Sequence, residues 1–345
     1  MKRKKIVLTG GGTAGHVYPA LAVAEELGEY ELHYIGGNGI EKDILATFPH
    51  IKYHQISGVK LERKLTLKNL LIPFKLFRAK NEAKRVLKEI KPDLIFSKGG
   101  FIAVPVALAG KKLHIPIVSH ESDLSMGLAN KIILHYCDIM CTSFEETAKN
   151  KKCVFSGQPI RNQIFDGKKQ NFFNNNLPTI LVLGGSLGAK FLNDIVFENL
   201  GELTKYFNIL HICGKNNFRD TKHINYKLFA YSEKIEDLYA SADIVVSRAG
   251  SGVINELLAL SKPMLLIPLS KKCSRGDQIE NAKLFEKKGF AKVIEEEKYN
   301  FQTFFKKINE ILKNSQKMQE KMQKNAKNNA RKIIFDIISN KIAKN

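Results

Sequence analysis

The residues in this chain best suited to chemistry gather around glycines. Ile6-Val7-Leu8-Thr9-Gly10-Gly11-Gly12-Thr13-Ala14-Gly15-His16 is a short apolar run and a glycine cluster, leading into the helically periodic stretch Val17 to Leu27. Ile180-Leu181-Val182-Leu183-Gly184-Gly185-Ser186-Leu187-Gly188-Ala189-Lys190 repeats the arrangement and runs into Phe191 to Leu200. Such a strand-to-helix turn aims backbone N–H groups and the positive end of a helix dipole at one spot, which suits a phosphate. His16 falls in the first turn of its helix, where the dipole disfavours the imidazolium and a neutral ring can accept a proton. The alternative for His16 is a ring that merely bonds a nearby carbonyl.

Other groups recur at the ends of strand-like runs. Ser97-Lys98-Gly99-Gly100-Phe101 is a third glycine turn, and Ser119-His120-Glu121-Ser122-Asp123 packs titratable and hydroxyl groups more densely than a turn requires. Arg248-Ala249-Gly250-Ser251-Gly252 opens a helix whose Glu256, one turn in, can accept two hydroxyls, as a ribose would offer. Gln278 and Asn281 share a helix face, and amides read sugar hydroxyls with both donor and acceptor. The pattern Gly10-x-Gly12-x-x-Gly15 lacks the acidic residue of a dinucleotide site, because the next strand ends in Gly36-Gly37-Asn38-Gly39. No Asp-x-Asp occurs, so neither metal nor cofactor is expected. Helix dipoles and Arg161 would have to neutralise a diphosphate.

The elements that must position these groups alternate. Strand-like runs at 31–36, 93–97, 115–119, 209–213, 244–247 and 264–267 are separated by helical patterns such as 79–90, 253–260 and 278–287. Alternation of this kind predicts an α/β protein built of βαβ units and parallel sheets. With 345 residues, two domains are the default, and the Asn-rich segment 162–176 is the natural linker. Ile333, Ile334, Ile337 and Ile338 predict a terminal helix that docks one apolar stripe on the body.

Five cysteines without a CxxC pair argue against a disulfide framework and for a reducing compartment. The basic start Lys2 to Lys5 is followed by only three apolar residues, so no signal peptide and a cytoplasmic location are expected. The net charge of +21 concentrates at Lys60 to Lys91, where eleven Lys/Arg face three Glu, with leucines and phenylalanines interleaved. Two readings fit that segment: a solvated helix covering a core, or a surface that lies on anionic lipid. Nucleic acid fits less well, since the segment matches no nucleic-acid module.

Taken together, 10–16, 98–105, 120–130, 157–161, 184–189, 248–256 and 277–282 resemble, in family order and over nearly the whole chain, the MurG family of peptidoglycan glycosyltransferases. The resemblance implies a GT-B fold, two Rossmann-like domains with parallel sheets facing across a cleft. It implies an acceptor domain at 1–161, a UDP-sugar domain at 162–325, and a helix at 326–345 returning to the first. It implies N-acetylglucosamine transfer from UDP-N-acetylglucosamine to lipid I at the cytoplasmic membrane face, with inversion. By motif, Arg161 and Ser186 would contact the diphosphate; the helix start behind Ser186, or that behind Ser251, would stabilise its charge. Glu256 holds the ribose, Gln278 and Asn281 the sugar, and Thr13, Ala14 and Gly15 line the donor side. His16 is the candidate base, with Glu121 as a possible assistant. Asp123 stands where many relatives have asparagine, and Ala14 where glycine is common. The rivals are another GT-B enzyme, such as a diacylglycerol glycosyltransferase or a UDP-sugar epimerase, and a basic binding scaffold that has lost catalysis.

Overall fold

The computed structural model describes residues 3–58, 72–185, 187–219, 221–326 and 329–344. The chain divides into two compact units, one of residues 1–161 with 328–345, the other of residues 162–327. The first runs β1 (Lys5–Thr9), α1 (Ala14–Ala24), β2 (Glu31–Gly36), α2 (Ile40–Leu45), β3 (Lys52–Gln55), α3 (Ile72–Ile90), β4 (Leu94–Ser97), α4 (Ala103–Lys112), β5 (Ile117–Glu121), α5 (Leu128–Tyr136), β6 (Ile139–Thr142) and β7 (Cys153–Phe155). Its strands pair in parallel in the order β3-β2-β1-β4-β5-β6-β7. Ile6, Val7 and Leu8 of β1 and Leu94, Ile95 and Phe96 of β4 are all fully buried, as a parallel sheet covered on both faces requires.

The second unit continues with β8 (Thr179–Leu183), α6 (Lys190–Glu198), α7 (Leu200–Leu203), β9 (Asn208–Ile212), β10 (Tyr226–Phe229), α8 (Ile235–Ser241), β11 (Ile244–Ser247), α9 (Ser251–Ala259), β12 (Met264–Leu266), α10 (Asp277–Lys288), β13 (Ala291–Val293) and α11 (Phe301–Asn325). Its sheet is parallel too, in the order β10-β9-β8-β11-β12-β13. The chain then returns to the first unit as α12 (Ala330–Ala343). The buried stripe of α12 is Ala330, Ile334, Ile338 and Ile342, one residue per turn. Its three isoleucines pack into the cluster of Ile6, Leu8, Val17 and Leu21.

In both sheets the strand order reverses beside the first strand, between β1 and β4 and between β8 and β11. Ligands of open parallel sheets bind beyond the carboxyl ends of the strands at such a reversal. The expected strand at 115–119 lies instead at Ile117–Glu121, after Pro116, which has no N–H for the ladder. His120 and Glu121 are therefore strand residues, not part of the loop beyond.

The edge strand β3 is held to β2 by a histidine pair. His33 Nδ1 lies 2.9 Å from His54 Nε2, and His33 Nε2 lies 3.2 Å from Glu31 Oε1. In the arrangement that satisfies all three groups, His54 donates to His33 and His33 donates to Glu31. Protonating His33 would set two N–H groups against each other. Burial holds both rings below the ordinary histidine range, and the charge of His54 lowers His33 further. A depressed histidine pKa in the folded state stabilises the fold above the unfolded value of ~6.5 and loses that contribution as pH falls. Urea unfolding at pH 7.5 and pH 5 checks this. The wild type is expected to lose stability at the lower pH, and His33→Gln to lose less.

Candidate active site

At the carboxyl edge of the first sheet, the turn after β1 is closed by a side chain from outside it. The carboxylate of Glu41, 3% exposed, accepts from Gly12 N at 3.3 Å and Gly37 N at 3.0 Å. Gly11 packs so tightly that a Cβ there would lie 2.8 Å from Glu41 Oε1 and 2.9 Å from Ile102 Cγ2. This corrects the reading of the turn as an open phosphate cradle: the Gly12 N–H already has a carboxylate partner, whose charge opposes a second anion.

Thr13 precedes α1 in extended backbone, and Ala14 and Gly15 are its first residues. His16 is half-buried, and its Nδ1 lies 3.1 Å from Thr13 Oγ1. If Nδ1–H donates to that hydroxyl, Nε2 is the nitrogen suited to take a proton. Arg161, the last residue of the first segment, stacks its guanidinium 4.2 Å from the ring centroid of Tyr18 on α1. Its buried Nε has no hydrogen-bond partner among the described residues.

Glu121 is placed differently from the expectation. It is 4% exposed, and its carboxylate accepts from Asp123 N at 2.9 Å, Gly127 N at 3.0 Å and Asn130 Nδ2 at 2.9 Å. Three donors converging on a buried carboxylate make it the staple of the loop between β5 and α5. A group so engaged is poorly suited to receive a proton from substrate. Asp123 sits half-buried in the stapled loop.

In the second unit, the edge where strand order reverses opens into a cavity of about 620 Å³. The turn after β8 (Gly184, Gly185, Gly188), the turn after β11 (Arg248, Gly250) and Gln278 of α10 all line it. The turn after β8 admits only glycine at 188, where φ is +77° and a Cβ would lie 2.0 Å from Cys213 O. Ser186 lies outside the described residues. Gln278 Oε1 accepts from Leu269 N at 3.0 Å, so its amide nitrogen remains as a donor. Asn281 is fully buried and donates to Ala249 O at 3.2 Å, tying α10 to the turn after β11. Ser251 is likewise buried, bonded through both Oγ and its carbonyl to Asn255 Nδ2. Glu256 is half-buried and accepts from Tyr239 OH at 3.1 Å, one turn along α9 from Val253, which lines the cavity.

Sequence reasoning passed over Arg248 and Glu296 as site residues. Arg248 pairs with Glu296 at 2.5 Å, donates to the carbonyls of Ile267 at 3.0 Å and Pro268 at 3.4 Å, and lies over the Phe191 ring at 5.8 Å. Both members of the pair line the cavity. No local spacing joins residues 248 and 296.

Two family models match the chain. The glycosyltransferase family 28 N-terminal domain covers residues 6–142, and the C-terminal domain of the same family covers 179–337. The chain belongs to glycosyltransferase family 28. Among family 28 relatives, the Clostridium tetani UDP-N-acetylglucosamine–N-acetylmuramyl-(pentapeptide) pyrophosphoryl-undecaprenol N-acetylglucosamine transferase is 48% identical, covering 91% of this chain and 92% of its own. The enzyme of the same name from Clostridium botulinum strain Alaska E43 is 45% identical over 99% of both chains. The crystal structure of Acinetobacter baumannii MurG superposes with a TM-score of 0.77 at 27% identity, covering 98% of this chain and 99% of that one. The fold is GT-B, and the chain is a glycosyltransferase.

Proposed function

We propose that the protein transfers N-acetylglucosamine from UDP-N-acetylglucosamine to the 4-hydroxyl of the muramoyl sugar of lipid I, with inversion. The observation that carries this reading is identity of 45–48% to enzymes of that printed name, sustained across at least nine-tenths of the chain. The cavity of the second unit supports it, since a glycine turn, a helix start and the Gln278 amide suit a nucleotide sugar. In the reaction, the 4-hydroxyl oxygen attacks the anomeric carbon and the bond from that carbon to the UDP phosphate oxygen breaks. The hydroxyl proton passes to His16 Nε2, and UDP leaves with the bonding pair. By motif Arg161 would contact the departing diphosphate, and the dipoles of α6 and α9 would stabilise its charge. Ser186 would join them, and Glu256 would hold the ribose.

The acceptor is a lipid, and α3 is the element suited to a membrane surface. Phe74 is 73% exposed and Phe77 66%, beside exposed Lys75, Arg78, Arg85 and Lys88. Exposed aromatics among basic residues favour an anionic lipid interface. The expected basic segment begins at Lys60, and its part at 59–71 lies outside the described residues. No helix among the described residues is long and apolar enough to cross a membrane. The nucleotide-sugar donor and the exposed face of α3 support a peripheral enzyme on the cytoplasmic membrane face.

Transfer of labelled N-acetylglucosamine to a lipid I analogue, presented in detergent or in vesicles rich in anionic lipid, tests both statements. Labelled disaccharide lipid is the expected product. Release of UDP or a changed sugar without acceptor would point to an epimerase. Phe74→Ser/Phe77→Ser is expected to lose transfer on vesicles but not in detergent, and equal rates in both would remove α3 from the membrane contact.

A further inference from the structure

Beneath the carboxyl edge of the first sheet lies an ammonium group for which the reaction above has no use. Lys98 directly follows β4, 1% exposed, at the point where strand order reverses. Its Nζ donates to His120 Nδ1 at 2.7 Å and to Ser122 Oγ through a short hydrogen bond. His120 Nε2 in turn bonds Gly157 O at 3.0 Å, so His120 is neutral, with its proton on Nε2. Ser122 Oγ donates onward to Gln158 Oε1 at 3.1 Å, and Ser143 Oγ meets the same oxygen at 2.6 Å. One cation thus joins the end of β4, the loop after β5 and the segment after β7 that leads to Arg161. Its backbone N donates to Thr9 O at 2.7 Å, beside the turn that leads to His16.

A buried charge is costly unless paired, and a hydrophobic side chain of the same length would fill this space at lower electrostatic cost. We propose that Lys98 is a positioning residue for sugar transfer, its ammonium holding Ser122, His120 and through them the 122–127 loop and the 157–158 segment in the arrangement that receives the acceptor. This rests on the transferase reading above. Burial lowers the Lys98 pKa to about 8, while the charges of Glu121 and Asp123 hold it up, and the thiol of Cys141 is the remaining group acting on it. Deprotonation removes the charge that strengthens both bonds. Activity that depends on them therefore declines as pH rises through about 8.

The test compares wild type with Lys98→Met and Ser122→Ala. Lys98→Met is expected to lower kcat by about 10- to 100-fold while the UDP-N-acetylglucosamine KM stays within about twofold, since misplacement acts on the transition state. Wild type is expected to show a falling limb of kcat near pH 8 that Lys98→Met lacks. Ser122→Ala, which keeps the buried lysine, is expected to show a smaller loss, and the double variant no further loss than Lys98→Met alone. Backbone amide exchange gives a readout free of activity: residues 123–127 are expected to exchange at least about tenfold faster in Lys98→Met. A kcat within about twofold of wild type, or a loss matching only the unfolded fraction, overturns the proposal. So does unchanged exchange in 123–127, even if the wild type transfers no sugar. Absence of transfer in the wild type itself would instead overturn the transferase reading. If Lys98→Met does not fold, Ser122→Ala and the wild-type pH profile decide: a full rate in the one and no limb in the other reject the proposal.

Discussion

His16→Ala is expected to lower kcat for transfer by about 10²- to 10⁴-fold, the range a positioned general base contributes. Donor affinity and the thermal unfolding midpoint are expected to stay near wild type. The ring is only half-buried, and the helix it stands on is held by Val17, Ala20, Leu21 and Val23, all in the core. Thr13 offers a second, graded measurement. Its hydroxyl, 3.1 Å from Nδ1, can select the tautomer that leaves proton transfer to Nε2. Thr13→Val removes that selection but keeps the ring, and a loss of about tenfold in kcat is expected, smaller than for His16→Ala. A His16→Ala enzyme with the full rate would move the base elsewhere. Glu121→Gln separates the two carriers the sequence suggested. Its carboxylate is a staple for three donors, so the amide is expected to destabilise the loop and lower the unfolding midpoint more than it alters the pH profile.

The course of the backbone was legible where one short window contained the whole physical requirement. β1 and β8 are apolar runs ending in glycine, and Gly12, Gly100, Gly185 and Gly188 all take positive φ. Edge strands carry no such mark. β3 is Lys52-Tyr53-His54-Gln55, exposed at both ends and bare of aliphatics, so nothing in its composition sets it apart from a loop. The site was legible as types of residue but not as partnerships. Glu41 closes the turn at Gly12 from 29 residues away, and Glu121 meets Asn130 only after the chain has turned. Gln278 and Asn281 share a face by their spacing, yet a step of three residues rotates a helix by about 300°, leaving the two about 60° apart. That offset suffices to put Gln278 on the cavity and Asn281 in the interface with the turn after β11.

Arg248→Met carries the largest expected effect in the second unit. The Arg248 and Glu296 side chains are 12% and 15% exposed at the cavity wall, so removing the guanidinium leaves a largely buried carboxylate whose remaining partner among the described residues is Ser270 N. Loss of one partner from a buried pair costs about 3–5 kcal/mol. For a unit of this size that corresponds to a fall of about 6–20 °C in its unfolding midpoint. The same change frees the carbonyls of Ile267 and Pro268, which lead into Leu269 and hence into the backbone N–H that holds Gln278. UDP-N-acetylglucosamine binding is therefore expected to weaken by about 10²-fold, the equivalent of ~2.7 kcal/mol. The double variant Arg248→Met/Glu296→Met separates the two consequences. Replacing both charges with apolar side chains is often neutral for stability, so the midpoint is expected to recover. The carbonyls stay without their donor, and donor affinity is not expected to recover with it. Thermal unfolding and calorimetric titration of the three proteins with UDP-N-acetylglucosamine measure both quantities. If affinity and stability return together, Arg248 only fills space; if stability returns alone, its guanidinium shapes the cavity that receives the nucleotide sugar.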